Sequence, residues 1–83
     1  MSTALSNVCE RLIEIKDQFE ENEELVEAIV ASDNAEDLWV AIGMAIAYSE
    51  NAITLNKTGE AHLKSALKAL NVIAEEFEDG NEE

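Results

Sequence analysis

The stretch LWVAIGMAIAY, residues 38–48, contains no polar side chain and is interrupted only by Gly43. A helix that is apolar on all sides is normally buried on all sides. The stretch is too short to span a membrane, which takes about 20 apolar residues. A chain of 83 residues has too few other helices to cover this one completely. We therefore expect the helix to pack against a second copy of the chain or against a partner.

Small residues recur four positions apart in this stretch, as Ala41 with Ala45 and Gly43 with Ala47. Such spacing lets a second helix backbone come close, so we predict a homodimer formed through this helix. An alternative is that the larger side chains fold over a small core. The predicted interface consists of Trp39, Ile42, Gly43, Ile46, Ala47 and Ile53.

The N-terminal segment has apolar residues spaced alternately three and four apart, which is typical of a helix with one buried seam. The seam consists of Leu5, Val8, Leu12, Ile15, Phe19, Asn22, Val26 and Ile29. It predicts a helix over residues 3–31. Asn22 is its one polar member: it either fixes the register of a continuous helix or marks a kink or a helix end. The sequence leaves both interpretations open.

Two further helices follow from capping residues and spacing. Asp33 with Glu36 has the spacing of a capping box and predicts a second helix over residues 34–56. Thr58 and Gly59 predict a third helix over residues 59–79, followed by a frayed tail at 80–83. The chain has no proline, and its connections are short. We expect a single all-α domain over residues 1–83, an antiparallel three-helix bundle that self-associates through the second helix.

The charge is strongly negative, with 19 acidic residues, 5 basic residues and a formal net charge of −14. This balance argues against direct binding of nucleic acid, which requires clustered Lys and Arg, and against an anionic membrane surface. Residues 1–37 carry 11 acids and 2 bases, residues 38–74 carry 2 acids and 3 bases, and residues 75–83 carry 6 acids. The acids are therefore concentrated near the two ends of the chain.

An antiparallel bundle brings these acids to one end of the molecule, where they form a predicted acidic surface. Its members are Glu20, Glu21, Glu23, Glu24, Glu27, Asp33, Glu36, Asp37, Glu75, Glu76, Glu78 and Asp79. Repulsion within it costs stability, which indicates a function. We expect the surface to bind a basic protein surface, such as that of a nucleic-acid-binding enzyme or repressor. By analogy of size and charge, phage anti-CRISPR and anti-restriction proteins inhibit in this way. Alternatively, the acids serve only solubility.

The sequence supplies little for catalysis. Cys9 is the only cysteine and His62 the only histidine, which is too few ligands for zinc. Cys9 falls at the edge of the seam and is expected to be a small buried hydrophobic residue. We predict a non-enzymatic protein with no cofactor and no metal. Without a disulfide or a recognisable signal peptide, we expect it to be cytoplasmic.

One motif suggests a third function after the inhibitor and a homo-oligomeric assembly module that uses the second helix. Residues 20–24 read Glu-Glu-Asn-Glu-Glu, and Glu76 with Asp79 forms Glu-x-x-Asp. This pair of motifs resembles the helical nucleotide pyrophosphatases of the MazG type, although the gap between the motifs is longer than in that family. The resemblance implies a magnesium-dependent pyrophosphatase with these carboxylates as metal ligands.

Overall fold

The fold consists of α-helices joined by short connections. The computed structural model describes the backbone of residues 3–82 and the side chains of residues 4–76. Within these bounds it has four helices and no strand: α1 (Thr3–Glu20), α2 (Glu23–Ala31), α3 (Ala35–Ser49) and α4 (Lys57–Glu82). The all-α class is confirmed. The predicted number of three helices is wrong, because the first predicted helix divides into α1 and α2.

The division occurs at Asn22, which begins a new helix. Its backbone is extended, with φ −126° and ψ 106°. Its side-chain oxygen accepts hydrogen bonds from the backbone N–H groups of Glu24, at 3.0 Å, and Leu25, at 3.3 Å. The first backbone donors of a helix have no partner within it, so an Asn side chain at this position stabilises a helix start. Of the two interpretations of Asn22, the helix end is the correct one.

The helix that holds the apolar stretch ends earlier than predicted, at Ser49 rather than at residue 56. Asn51 adopts a left-handed backbone, with φ 64°. The N–H of Ala52 donates to the carbonyl of Ala47 at 2.8 Å, and that of Asn51 to the carbonyl of Tyr48 at 3.0 Å. This is the Schellman arrangement, which satisfies the last carbonyls of a helix, and Asn is one of the few residues that enter it readily.

The other helix starts also differ from the prediction. The N-cap of α3 is Asn34 instead of Asp33, so the predicted capping box of Asp33 with Glu36 does not start this helix, and the side chain of Asn34 makes no capping hydrogen bond. Asn56 caps α4, because its side-chain oxygen accepts from the N–H of Gly59 at 2.9 Å. Thr58 therefore lies inside the first turn. Helix α4 continues to Glu82 instead of ending at residue 79. The last residue of the predicted frayed tail, Glu83, lies outside the described residues.

All four helices contact one another around one hydrophobic core. The seam prediction is confirmed at most of its positions, and Cys9 is buried as expected, with 1% of its surface exposed. The buried side chains are Leu5, Cys9, Leu12, Ile15, Phe19, Leu25, Ile29, Leu38, Ala41, Ile42, Ala45, Leu63, Ala66, Leu70 and Ala74. Because α2 starts anew after Asn22, Leu25 is buried more deeply than the seam residue Val26.

None of the helices over the described residues combines the length and the apolar content that crossing a bilayer requires.

Candidate interaction surfaces

The residues of the predicted acidic surface, called the acidic surface below, lie between the end of α1 and the first turn of α3, and in α4. Glu20 is the last residue of α1 and Glu21 lies in the turn that follows. Glu27 lies in α2, and Asp33 in the connection to α3. The remaining members of these segments are Glu23 and Glu24 in the first turn of α2, and Glu36 and Asp37 in the first turn of α3. The side chains of all eight are exposed to solvent.

Four of these acids have a local structural role. Glu23 and Glu24 open α2, and Glu36 and Asp37 open α3. A carboxylate in the first turn of a helix interacts favourably with the positive end of the helix dipole. The break at Asn22 therefore changes the expectation for Glu23 and Glu24, because a continuous helix would have placed them far from any helix start. The other four acids between residues 20 and 37 do not lie in the first turn of a helix: Glu20, Glu21, Glu27 and Asp33.

The acidic surface is almost free of compensating charge. Between residues 17 and 56 the chain has ten acidic residues and no Lys or Arg. Among the described side chains, the acidic surface has one ion pair, between Lys16 and Glu20 at 2.7 Å. The hydrogen bond to Glu20 raises the pKa of Lys16. The other ion pair, Arg11 with Glu14 at 3.5 Å, lies in the middle of α1.

Helix α4 carries the remaining predicted members of the acidic surface. Glu75 and Glu76 are exposed and follow Ala74, which belongs to the core. Helices α2 and α4 are in contact. The side chains of Glu78 and Asp79 lie outside the described residues.

The second candidate surface is the part of α3 that does not face the core. Gly43 is exposed, and Trp39, Ile46 and Ala47 are half-buried. Ile53 is 39% exposed, but it lies in the connection after α3 instead of on the helix. Of the residues predicted to form a dimer interface, Ile42 needs correction. It is 1% exposed and belongs to the core, because it lies one turn from Leu38 and Ala45 on the inward side of the helix.

The predicted interface does not include Val40, although it is 53% exposed on this outer side of α3. The helical spacing indicates that Val40 belongs with the other residues of this side. Val40 lies three residues before Gly43 and seven before Ala47, so the three residues share one side of the helix. An uninterrupted apolar run hides such a signal, because every position in it looks equally fit for the core.

Among the described side chains, two of the open cavities are lined by residues from more than one helix. One, of about 140 Å³, is lined by Asn34, Asp37, Leu38, His62, Ser65, Ala66 and Ala69. The other, of about 170 Å³, is lined by Ser6, Cys9, Glu10, Tyr48 and Ser49. The cysteine and the histidine thus line different cavities and do not form a nucleophile–base pair. Burial raises the pKa of the Cys9 thiol, which disfavours the reactive thiolate.

The break at Asn22 divides the first pyrophosphatase motif between two helices. On a continuous helix, Glu20, Glu21 and Glu24 would lie on neighbouring turns of one side. In the structure, Glu20 ends α1, Glu21 lies in a turn and Glu24 belongs to α2. Among the described side chains, no group of three or more His, Cys, Asp or Glu residues is arranged to hold a metal ion. The partner motif includes Asp79, whose side chain lies outside this part of the chain.

Comparisons of the chain with models of protein families, with curated proteins and with solved structures found no match.

Proposed function

We propose that the chain is a non-enzymatic interaction protein whose acidic surface occupies a basic, nucleic-acid-binding surface of another protein and so inhibits that protein. One observation carries the proposal: residues 17–56 contain ten acids and no base, and those in the acidic surface are exposed. Such a segment attracts clustered Lys and Arg.

One of the cavities supports the gathering of the acids at one end of the molecule. It brings Ser6 and Cys9, near the start of α1, beside Ser49, the last residue of α3. The start of α1 therefore lies near the end of α3, and we infer that α1 and α3 run in opposite directions. The end of α1, the whole of α2 and the start of α3 then share one end of the bundle. The contact between α2 and α4 favours a position of Glu75 and Glu76 near the same end.

The energetics of this arrangement favour a functional interpretation. Glu20 and Glu21 lie at the C-terminal end of α1, where a negative charge opposes the helix dipole. Glu27 and Asp33 have no described basic partner, and like charges close together repel. Selection for solubility alone is satisfied by spreading acids evenly. We infer that binding to a basic partner offsets the cost of concentrating them.

A row of carboxylates on helices resembles a nucleic acid in charge density. Duplex DNA presents one negative charge per ~1.7 Å of its axis. Helices hold the backbone of these residues at fixed relative positions, so little backbone entropy is lost on binding. The partner that fits is therefore a protein groove that normally holds a nucleic-acid backbone.

The proposal is tested by competition with DNA. Purified DNA-binding proteins, for example a restriction endonuclease and a repressor, are loaded with fluorescein-labelled duplex DNA, and displacement by the chain is followed by anisotropy. The variant replaces Glu20, Glu21 and Glu27 with Lys. These positions are chosen because none of them opens a helix, so the fold should be retained. We expect the chain to displace DNA and the variant to lose at least about tenfold in affinity.

A matched control variant replaces Glu10, Glu14 and Glu50 with Lys. These three exposed acids lie outside the acidic surface, and the change in net charge is the same. We expect the control to retain most of the activity. An equal loss in both variants would mean that net charge alone is responsible. Binding that does not weaken between about 50 and 300 mM salt would contradict an electrostatic mechanism.

The alternative of homo-oligomeric assembly through α3 draws support from the exposure of Val40 and Gly43. The first proposal is favoured because assembly leaves the concentration of acids without a role. Sedimentation of the intact chain measures its mass and tests the alternative directly.

A further inference from the structure

A second regular stripe lies on the outer side of α3, opposite the core, and ends at Glu50, the residue that follows the helix. Its members follow one another at intervals of four, three, four and three residues: Glu36, Val40, Gly43, Ala47 and Glu50. We call this set the outer stripe. Positions with this spacing share one side of a helix, which is the side that a second helix packed lengthwise would contact. The outer stripe thus has an apolar centre and a carboxylate at each end.

The centre of the outer stripe is unoccupied by the rest of the described chain. Val40 is 53% exposed. A Cβ atom added to Gly43 would meet nothing within 4 Å. Trp39, Met44 and Ile46 border the stripe, and all three pack partly against the core. The result is an apolar helix side that is accessible along its middle.

Nothing in the described part of the chain requires a glycine at position 43. Its backbone is helical and its φ is not positive, so an alanine fits there, and alanine stabilises a helix relative to glycine. On an exposed helix surface, a glycine instead lets the backbone of a docked element come close, since the distance between packed helices depends on the side chains at the contact. Gly43 lies at the midpoint of the outer stripe, where such a docked helix would cross.

Charge indicates what kind of helix docks there. If a second copy packed antiparallel about Gly43, Glu36 of each copy would face Glu50 of the other; in a parallel pair, each glutamate would face its own equivalent. The chain offers no Lys or Arg between residues 17 and 56 to relieve this. A second copy is therefore disfavoured, whereas a basic partner gains at both ends of the stripe.

We propose that the outer stripe docks an amphipathic helix of a partner protein, with a stripe of small and branched apolar side chains flanked at both ends by Lys or Arg. Glu36 and Glu50 are 14 residues apart, so the two basic groups lie about 21 Å apart along the helix. Glu36 belongs to both surfaces, but Val40 and Gly43 lie outside the acidic surface, so variants at these two positions test the outer stripe separately from DNA competition.

The test uses two synthetic helical peptides of 21 residues without tryptophan. Both carry a leucine and alanine stripe with the same spacing, and they differ only in having Arg or Glu at its two ends. Trp39 is the only tryptophan of the chain and borders the outer stripe, so its fluorescence reports binding. We expect the Arg peptide to bind at least about tenfold more tightly than the Glu peptide.

Two variants locate the binding. We expect Val40→Lys to lower the affinity for the Arg peptide at least about tenfold. Gly43→Gln adds bulk without charge, and we expect a similar loss of affinity. The matched control is Val72→Lys, because Val72 is a valine of similar exposure, 57%, on α4. It should change the affinity less than twofold. Circular dichroism shows that each variant is folded.

Three results would overturn the proposal. One is equal binding of the two peptides. Another is an equal effect of Val40→Lys and Val72→Lys. The third is a dimer in sedimentation that Val40→Lys converts to a monomer, because the outer stripe would then belong to a second copy. The variant at Glu20, Glu21 and Glu27 distinguishes the two sites. If it no longer competes with DNA but still binds the Arg peptide, the acidic surface and the outer stripe act separately.

Discussion

The segment that forms α1 and α2 and the segment that forms α3 are both rich in apolar residues, but they present them differently. In α1 and α2 the apolar residues of the seam recur at three and four positions with polar residues between them, and most of them enter the core, whereas Val30, outside the seam, is 62% exposed. In α3 eleven consecutive residues lack a polar side chain, yet the structure separates them into a buried and an accessible side.

This difference shows what hydrophobic patterning can and cannot indicate. Alternation with polar residues identifies the side of a helix that faces inward. A continuous apolar run identifies only that a helix is largely covered. It does not indicate which side of the helix faces the core and which side stays accessible to solvent.

The largest difference is expected between the two sides of α3. Ile42 is 1% exposed and Val40 is 53% exposed. We expect Ile42→Ala to lower the free energy of unfolding by about 2–5 kcal/mol, because it leaves a cavity, and Val40→Ala to change it by less than about 0.5 kcal/mol. Urea unfolding measures both. If Ile42→Ala does not fold, Ile42→Val should still cost about 0.5–1.5 kcal/mol. Equal effects at the two positions would contradict the assignment of sides.

An intermediate effect is expected at Asn22, where the seam continues but the helix does not. Asn22→Ala removes the acceptor for the N–H groups of Glu24 and Leu25, and we expect a loss of about 1 kcal/mol. Asn22→Asp keeps an acceptor and should retain most of the stability. The sign is decisive: in a helix continuous over residues 3–31, alanine would be the better residue and the variant would gain stability. Thermal unfolding distinguishes these outcomes.

The smallest effect, a gain, is expected at the exposed glycine of α3. We expect Gly43→Ala to stabilise the chain by about 0.5–1 kcal/mol, because the added methyl group meets open space. Gly59 is the comparison: there the added Cβ would lie 3.0 Å from Cδ2 of Leu55, which must move. Gly59→Ala should gain less or lose stability. A loss at Gly43 in urea unfolding would mean that this glycine has a role inside the chain.

Most of the fold follows from local chemistry that the sequence displays. The absence of proline, the spacing from Leu5 to Phe19 and the asparagines near helix starts lead to an all-α chain with a core on one side of each helix. The position of the acids is likewise a matter of sequence, because charged side chains at helix ends and in turns are exposed in almost any packing.

The helix ends and the two sides of α3 required the three-dimensional structure. Asn22 lies after the last turn of α1 and begins the hydrogen bonding of α2, and Asn51 ends that of α3, although an asparagine in the sequence also fits a helix interior. Val40 and Ile42 are both branched apolar residues two positions apart, and only the direction in which α3 meets α1 and α4 places Ile42 inside and Val40 outside. The physical reason is that propensity and capping act within one turn of chain, whereas burial depends on which distant helix arrives at each side.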